Sequence, residues 1–128
     1  MRILVVDDKF ESRWVIAGWL SALLDAVAVE SAASGDEALA AIEAKRPDLV
    51  LAAHPMAGMD GIELARRIAA RANPPVVAVM TDKGGPDFAA ACAAVGAHLS
   101  LEKRHLQARL LGFLQERFSL RVAPGARG

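Results

Sequence analysis

The sequence predicts an α/β fold in which a doubly wound, five-stranded parallel sheet is covered by five helices. Short, continuous runs of aliphatic residues recur along the chain, a pattern typical of strands buried on both faces. Between these runs, apolar residues recur at helical spacing. The two kinds of segment alternate five times, which implies right-handed crossovers between parallel strands.

The predicted strands are the aliphatic runs themselves. They cover residues 3–6, 27–32, 49–52, 76–80 and 99–101. The run at 3–6 is entirely aliphatic, whereas the run at 27–32 is weaker and the run at 99–101 is short. A helical segment follows each of them.

The first two helices have distinct signals. In the first, residues 11–24, apolar side chains are predicted to form the buried stripe: Val15, Ile16, Trp19, Leu20, Leu23 and Leu24. The second begins where Ser34 and Glu37 are spaced as a capping box. It ends before Pro47, because the residue before a proline disfavours the helical conformation.

A single residue marks the start of each of the three remaining helices. Asp60 is a cap for the third helix, Asp87 opens the fourth, and Leu106 marks the fifth. With these elements, residues 1–120 form one domain, and residues 121–128 form a flexible C-terminal tail.

Charge and composition exclude several classes of function. The chain has 15 basic and 15 acidic side chains, so it has no basic surface for nucleic acid or for anionic lipid. No apolar run is long enough to span a bilayer. The single cysteine, Cys92, excludes an internal disulfide and fits a reducing compartment. We therefore expect a cytoplasmic domain that binds neither nucleic acid nor membranes.

Polar residues follow three of the predicted strands. Asp7 and Asp8 follow the first strand, Thr81 follows the fourth, and Lys103 follows the fifth. In a sheet of this kind, ligands bind beyond the carboxyl ends of the strands. Adjacent carboxylates suit a hard cation such as Mg²⁺, while a hydroxyl and an ammonium suit a phosphoryl group. The pattern predicts a site at this edge of the sheet.

The same residues resemble a known family. The segments that carry the resemblance agree in order and spacing: Val5-Val6-Asp7-Asp8, Pro47-Asp48-Leu49-Val50-Leu51, Gly58-Met59-Asp60-Gly61, Thr81, Gly96-Ala97 and Lys103. Over residues 2–118 the chain resembles the receiver domain of bacterial response regulators. The resemblance implies a flavodoxin-like, receiver-type fold in two-component phosphorelay signalling. It also implies an acid pair that holds Mg²⁺, a strand-three aspartate that accepts phosphate from a histidine kinase, and a threonine and a lysine that bind the phosphoryl group.

The acceptor position departs from the family pattern. The resemblance implies an aspartate two residues after Leu51, and this chain has Ala53 there. A methyl group is neither a nucleophile nor a metal ligand, so we expect no catalytic residue. The neighbouring His54 is not expected to replace it, because a phosphoramidate needs a different in-line geometry. With one ligand lost, Asp7 and Asp8 are expected to bind Mg²⁺ weakly at most.

The rest of the switch has changed as well. In the family, an aromatic ring in strand five rotates inward when the threonine moves toward phosphate, and this changes the helix-four face. The aromatic position aligns with Ser100 in this chain, so we expect that coupling to be lost. Thr81 and Lys103 are therefore expected to form a degenerate phosphoryl site. Ala57 and Arg104 stand where the family usually has prolines, which suits a site that has drifted.

Two functions from different classes stay open. The first is a pseudo-receiver, not an enzyme and without a required cofactor, that binds a protein partner independently of phosphorylation. The partner would be a histidine kinase, a phosphotransfer protein or an output protein. The second is an ordinary phosphotransfer receiver that carries an engineered Asp-to-Ala change at position 53; the retained Asp7, Asp8, Thr81 and Lys103 suit that alternative. A third possibility is that the chain is the first domain of a longer regulator.

Two apolar surfaces are candidates for protein contacts. Phe10 and Trp14 lie off the predicted buried stripe and can form an exposed aromatic patch, unless Trp14 packs on neighbouring cationic side chains. On the last helix, Leu111, Leu114 and Phe118 form a second stripe beside the one that packs on the sheet. In the family, the face made by helix four, strand five and helix five commonly mediates dimerisation. A homodimer through the last helix is therefore a further expectation, unless the C-terminal tail buries Leu111.

Overall fold

The computed structural model describes residues 1–119 and contains a parallel sheet of five strands. The strands are β1 (Arg2–Val6), β2 (Ala28–Ala32), β3 (Leu49–Ala53), β4 (Val76–Thr81) and β5 (Leu99–Glu102). Their spatial order is β2-β1-β3-β4-β5, and every neighbouring pair is parallel. The chain therefore winds outward from β1 in both directions, and the predicted doubly wound fold is confirmed.

Helices cover both faces of this sheet. They are α1 (Phe10–Leu23), α2 (Gly35–Ala44), α3 (Gly61–Ala69), α4 (Pro86–Ala94) and α5 (Leu106–Phe118), the last preceded by a 3-10 turn (Lys103–His105). On one face α3 contacts both α2 and α4, and on the other α1 and α5 line a common groove. Every residue of β3 and β4 is buried, as central strands covered on both faces require.

The starts of α2 and α3 have a clear chemical basis, whereas no side chain of the described residues caps α1, α4 or α5. The Ser34 hydroxyl accepts a hydrogen bond from the Glu37 amide (3.1 Å), and the Asp60 carboxylate accepts one from the Glu63 amide (2.9 Å). Each bond satisfies a backbone N–H that has no partner within its helix. The Glu37 side chain accepts from the Ala33 amide rather than from Ser34, so the capping box is only half formed.

Gly61 sets the distance between α3 and the sheet. A Cβ at this position would lie 2.4 Å from the carbonyl oxygen of Ala53 and 3.2 Å from the Val79 side chain. Only glycine lets α3 begin directly against the end of β3. The loop between these two elements is thereby held close to the carboxyl edge of the sheet.

Two burial predictions for the helices are wrong. Val15 was predicted in the buried stripe of α1, but it is 60% exposed, while Ile16 and Leu20 are buried. The reason is that α1 is apolar on nearly all sides, so its pattern does not identify the inner face. Leu114 was predicted in an exposed stripe of α5, but it is fully buried, because it lies one turn beyond Leu110 on the face that packs on the sheet.

The predicted tail at 121–128 lies outside the described residues. Among residues 1–119, none of the helices combines the length and the apolar character that crossing a bilayer requires.

Candidate functional site

The carboxyl edge of the sheet brings the residues at the strand ends together. Asp7 directly follows β1, Ala53 ends β3, Thr81 ends β4, and Lys103 follows β5. Asp7, Ala53 and Thr81 are all buried. This edge therefore combines the buried carboxylate of Asp7, the buried hydroxyl of Thr81 and the ammonium of Lys103. On β3, which lies between β1 and β4, it has only the methyl group of Ala53.

Lys103 is held by two partners. Its ammonium donates to the Asp7 carboxylate (2.9 Å) and to the Ser12 hydroxyl (3.0 Å). The side chains of Lys103 and Asp7 are only 19% and 1% exposed, so this ion pair is largely shielded from water. Sequence reasoning missed Ser12, which stands in the first turn of α1, because only the folded sheet brings it beside a lysine 91 residues later.

The environment of Asp7 keeps its carboxyl ionised. Burial by itself raises the pKa of this group, but the Ser12 hydroxyl, the Lys103 ammonium and the Lys9 amide lower it, and the net result is a pKa below the ordinary value. The Lys9 amide lies 3.0 Å from the Asp7 Oδ1 atom. Both carboxylate oxygens of Asp7 are thus occupied by donors of the protein itself.

Asp8 has a different environment. Its side chain is exposed and accepts a hydrogen bond from the Ala57 amide (3.0 Å). Among residues 1–119, no group of three or more His, Cys, Asp or Glu side chains is arranged to hold a metal ion. With Asp7 engaged by Lys103 and Asp8 engaged by a loop amide, this donor set fits Mg²⁺ poorly. Weak Mg²⁺ binding stays a prediction.

Thr81 and Ser100 are both tied into the backbone around them. The Thr81 hydroxyl donates to the Lys83 carbonyl (3.4 Å). Ser100 is half-buried in β5, and its carbonyl accepts a hydrogen bond from the Arg109 guanidinium (3.1 Å). This hydrogen bond links α5 to the main chain of β5, so it does not depend on the size of the side chain at position 100.

The comparisons with known proteins agree with this geometry. The model of the response regulator receiver domain matches residues 3–115. The chain belongs to this family. Among solved structures, chemotaxis protein CheY4 of Vibrio cholerae is 29% identical, with a TM-score of 0.78 over 90% of this chain and 96% of that one. The BeF3-activated N-terminal receiver domain of RstA from Klebsiella pneumoniae is 26% identical, with a TM-score of 0.82 over 91% and 97%.

Curated relatives are longer than this receiver domain. The positive alginate biosynthesis regulatory protein of Pseudomonas aeruginosa is 38% identical over 82 residues, which are 63% of this chain and 33% of that protein. The transcriptional regulatory protein LiaR of Bacillus subtilis is 32% identical over 81 residues, or 63% of this chain and 38% of that protein. The matched segment thus spans about a third of the length of these relatives.

The exposed hydrophobic side chains of this receiver domain gather on α1. Among the described residues, the large hydrophobic side chains that are exposed are Phe10 (65%), Trp14 (69%) and Val15 (60%). The guanidinium of Arg13 lies over the Phe10 ring, 5.5 Å from its centroid. Phe10 and Trp14 are therefore accessible to a partner, and their role as an interaction surface stays a prediction.

A groove runs beside this patch, between α1 and α5. Its volume is about 1290 Å³, and Val15 and Trp19 line it on one side and Leu111 on the other. Leu111 and Phe118 are half-buried against the core. The predicted second stripe of α5 is thus largely used within the domain, while the outer side of α1 is left uncovered.

Proposed function

We propose that this receiver domain is a pseudo-receiver, a phosphorylation-independent protein-interaction module in two-component signalling. The observation that carries the proposal is Ala53, the last residue of β3, at the position where the resemblance implies the phosphate-accepting aspartate. Its methyl group has no lone pair with which to attack phosphorus or to bind a metal ion. No acyl phosphate can form at this position.

The neighbouring groups support the same proposal. Lys103, which would bind a phosphoryl group in an ordinary receiver, instead forms a shielded ion pair with Asp7 and a hydrogen bond with Ser12. A lysine engaged in this way offers its charge to a carboxylate that the protein always carries. The ion pair therefore stabilises this arrangement of the edge without a phosphoryl group.

The proposed partner is a protein. The edge of the sheet has no nucleophile at position 53, which supports binding rather than catalysis. The exposed aromatic side chains of Phe10 and Trp14 on α1 provide apolar surface area, and aromatic residues are enriched in protein interfaces. A histidine kinase, a phosphotransfer protein or an output protein would each fit. Because the matched segments cover only about a third of the curated relatives, a covalently linked output domain is one form that this partner can take.

Incubation with Mg²⁺ and a small phosphodonor such as acetyl phosphate tests the proposal. Intact-mass spectrometry is expected to find the mass of the chain unchanged, since residue 53 cannot accept the group. A receiver that has its acceptor aspartate, treated in parallel, checks that the donor is active. A phosphoryl adduct that hydroxylamine removes would refute the pseudo-receiver proposal, because it would reveal another carboxylate as the acceptor.

The alternative function is an ordinary phosphotransfer receiver in which the native aspartate was exchanged for alanine. One observation favours it: Asp7, Asp8, Thr81 and Lys103 are all present, as a single exchange at position 53 would leave them. Against it stands Ser100, which lacks the ring that would report the phosphoryl group to the surface.

A further inference from the structure

The loop between β4 and α4, residues 82–85, is anchored from the side of β1. The Asp82 carboxylate pairs with the Lys9 ammonium at 3.3 Å. Lys9 stands beyond the end of β1, and its amide donates to the buried Asp7 carboxylate, so its main chain is itself held in place. Because β3 lies between β1 and β4 in the sheet, the ion pair crosses the end of β3, where Ala53 is buried.

The same loop is anchored from the side of β5. A Cβ at Gly84 would lie 3.0 Å from the Cγ atom of Glu102 and 3.2 Å from its Oε1 atom, so the main chain of the loop packs directly on this side chain. The Glu102 side chain is 24% exposed, and its carboxylate also accepts a hydrogen bond from the Arg104 guanidinium. The hydrogen bond from Arg104 lowers the pKa of Glu102, partial desolvation raises it, and the Gly84 amide, a further donor, lowers it again, so the pKa lies below its ordinary value. Gly84 is therefore held by an ionised carboxylate.

The loop depends on these anchors for its order. Two adjacent glycines, Gly84 and Gly85, give it a large conformational entropy when it is free, so a single conformation must be held by contacts. A third contact lies inside the loop, where the buried Thr81 hydroxyl donates to the Lys83 carbonyl. The segment is thus held at the end of β4, from the side of β1 and from the side of β5.

We propose that residues 82–85 form a lid over the carboxyl edge, which the Lys9–Asp82 and Glu102–Gly84 contacts hold closed over Ala53. The lid limits the access of solutes to position 53, whichever residue stands there. An anionic solute would also be repelled by the Asp82 carboxylate before it reached the edge. This proposal concerns access to the edge, whereas the pseudo-receiver proposal concerns its chemistry, so either one can fail without the other.

The alkylation rate of a thiol placed at position 53 tests the lid. Iodoacetamide, a small neutral reagent, should reach the thiol of Ala53→Cys only when the lid opens. The native Cys92 is buried, and burial raises the pKa of its thiol to about 11, so it reacts slowly, and peptide mass spectrometry separates the two sites. Adding Asp82→Ala should raise the rate at position 53 about two- to fivefold, as the loss of one exposed ion pair implies. Adding Glu102→Ala should raise it about tenfold or more, because a hydrogen bond to a charged group is lost.

Two further variants are matched controls. Glu102→Gln removes the same charge as Glu102→Ala but keeps an acceptor for the Gly84 amide, so its rate should stay near that of Ala53→Cys alone. Asp87→Ala removes an exposed acid from the first turn of α4, outside the loop, and should leave the rate unchanged. Equal rates in all variants would overturn the lid. A Glu102→Gln rate as high as that of Glu102→Ala would overturn it too, because charge and not the anchor would then set the rate.

Hydrogen exchange followed by NMR provides a readout without a change at position 53. In the parent chain the Gly84 amide is expected to exchange slowly, and Glu102→Ala should make it exchange about tenfold faster or more. Thermal melting of each variant shows that the compared chains are folded. A Gly84 amide that exchanges in the parent chain as fast as a free peptide would refute the anchor on Glu102, and with it the lid.

Discussion

Lys103 and Asp7 depend on each other electrostatically. If Lys103 is replaced by alanine, Asp7 stays buried with the Ser12 hydroxyl and the Lys9 amide but without a cation. We expect Lys103→Ala to lower the free energy of unfolding by about 3 kcal/mol, at the lower end for a broken buried pair because Lys103 keeps some contact with water. Urea denaturation at neutral pH, followed by circular dichroism, measures the loss.

Lys9 offers the matched control for this prediction. Its ammonium pairs with Asp82 at 3.3 Å, and both side chains are more than half exposed. Lys9→Ala should cost less than about 1 kcal/mol, as is typical of surface ion pairs. Equal losses in the two variants would mean that burial does not strengthen the Lys103 pair, and the counter-ion role would be wrong.

Single residues at the strand ends could be predicted from sequence because their order along the chain is enough to bring them to one edge. Asp7, Ala53, Thr81 and Lys103 are all found there. Ser12 could not be predicted, since a serine in a first helical turn has no pattern that points to a distant lysine. The path of Asp8 toward the Ala57 amide likewise depends on the exact course of a loop.

For strands and helices, the spacing of apolar residues predicts their order along the chain. It does not predict which side of a helix faces the core. The order of strands and helices was predicted with small shifts at the ends, because aliphatic runs and helical spacing are local properties. Which side of a helix faces the core is not local when nearly every side is apolar. That is why Val15 was assigned to the core and is exposed, and why Leu114 was assigned to the surface and is buried.

The entry to β5 has a titratable group that links two strands. The Nδ1 atom of His98 accepts a hydrogen bond from the Val77 amide (3.1 Å), which requires a neutral imidazole. The His98 side chain is exposed overall, but partial desolvation of its ring, and secondarily the charge of Arg117, lower the pKa of His98 below its ordinary value. The unfolded chain therefore binds a proton at a higher pH than the folded chain does.

The pH dependence of stability follows from that difference. The contribution of His98 is complete above the unfolded pKa of about 6.5 and is lost as the pH falls below it, because unfolding then takes up a proton. His98→Asn keeps an acceptor at this position but does not titrate, so its stability should fall less between pH 7.5 and pH 5.5. Thermal unfolding across this range compares the two proteins, and parallel curves would show that His98 does not contribute.

At the scale of the whole molecule, the two hypotheses for Ala53 make opposite statements about switching. In the pseudo-receiver, the edge is fixed by the Lys103 ion pair, and Ser100 has too little bulk to transmit a change. In an ordinary receiver with an exchanged aspartate, the loss of switching would lie at residue 53 alone. Restoring the carboxylate at position 53 therefore distinguishes the two hypotheses. It should restore switching if the loss lies at residue 53 alone, and it should not if Lys103 and Ser100 also prevent it.

Ala53→Asp is the variant that decides between them. If the chain is a pseudo-receiver, the variant should bind Mg²⁺ more tightly than the parent, whose affinity we expect to be about millimolar or weaker, because a third carboxylate joins Asp7 and Asp8. Its association state and partner binding should nonetheless be the same with and without beryllofluoride, a phosphoryl mimic.

Titration calorimetry measures the Mg²⁺ affinity, and sedimentation measures the association state. Ala53→Asn is the control, because it restores the size of the side chain without its charge. A clear shift in mass on adding the mimic to Ala53→Asp would identify an ordinary receiver, and it would mean that Thr81 can signal to the surface without an aromatic residue at position 100.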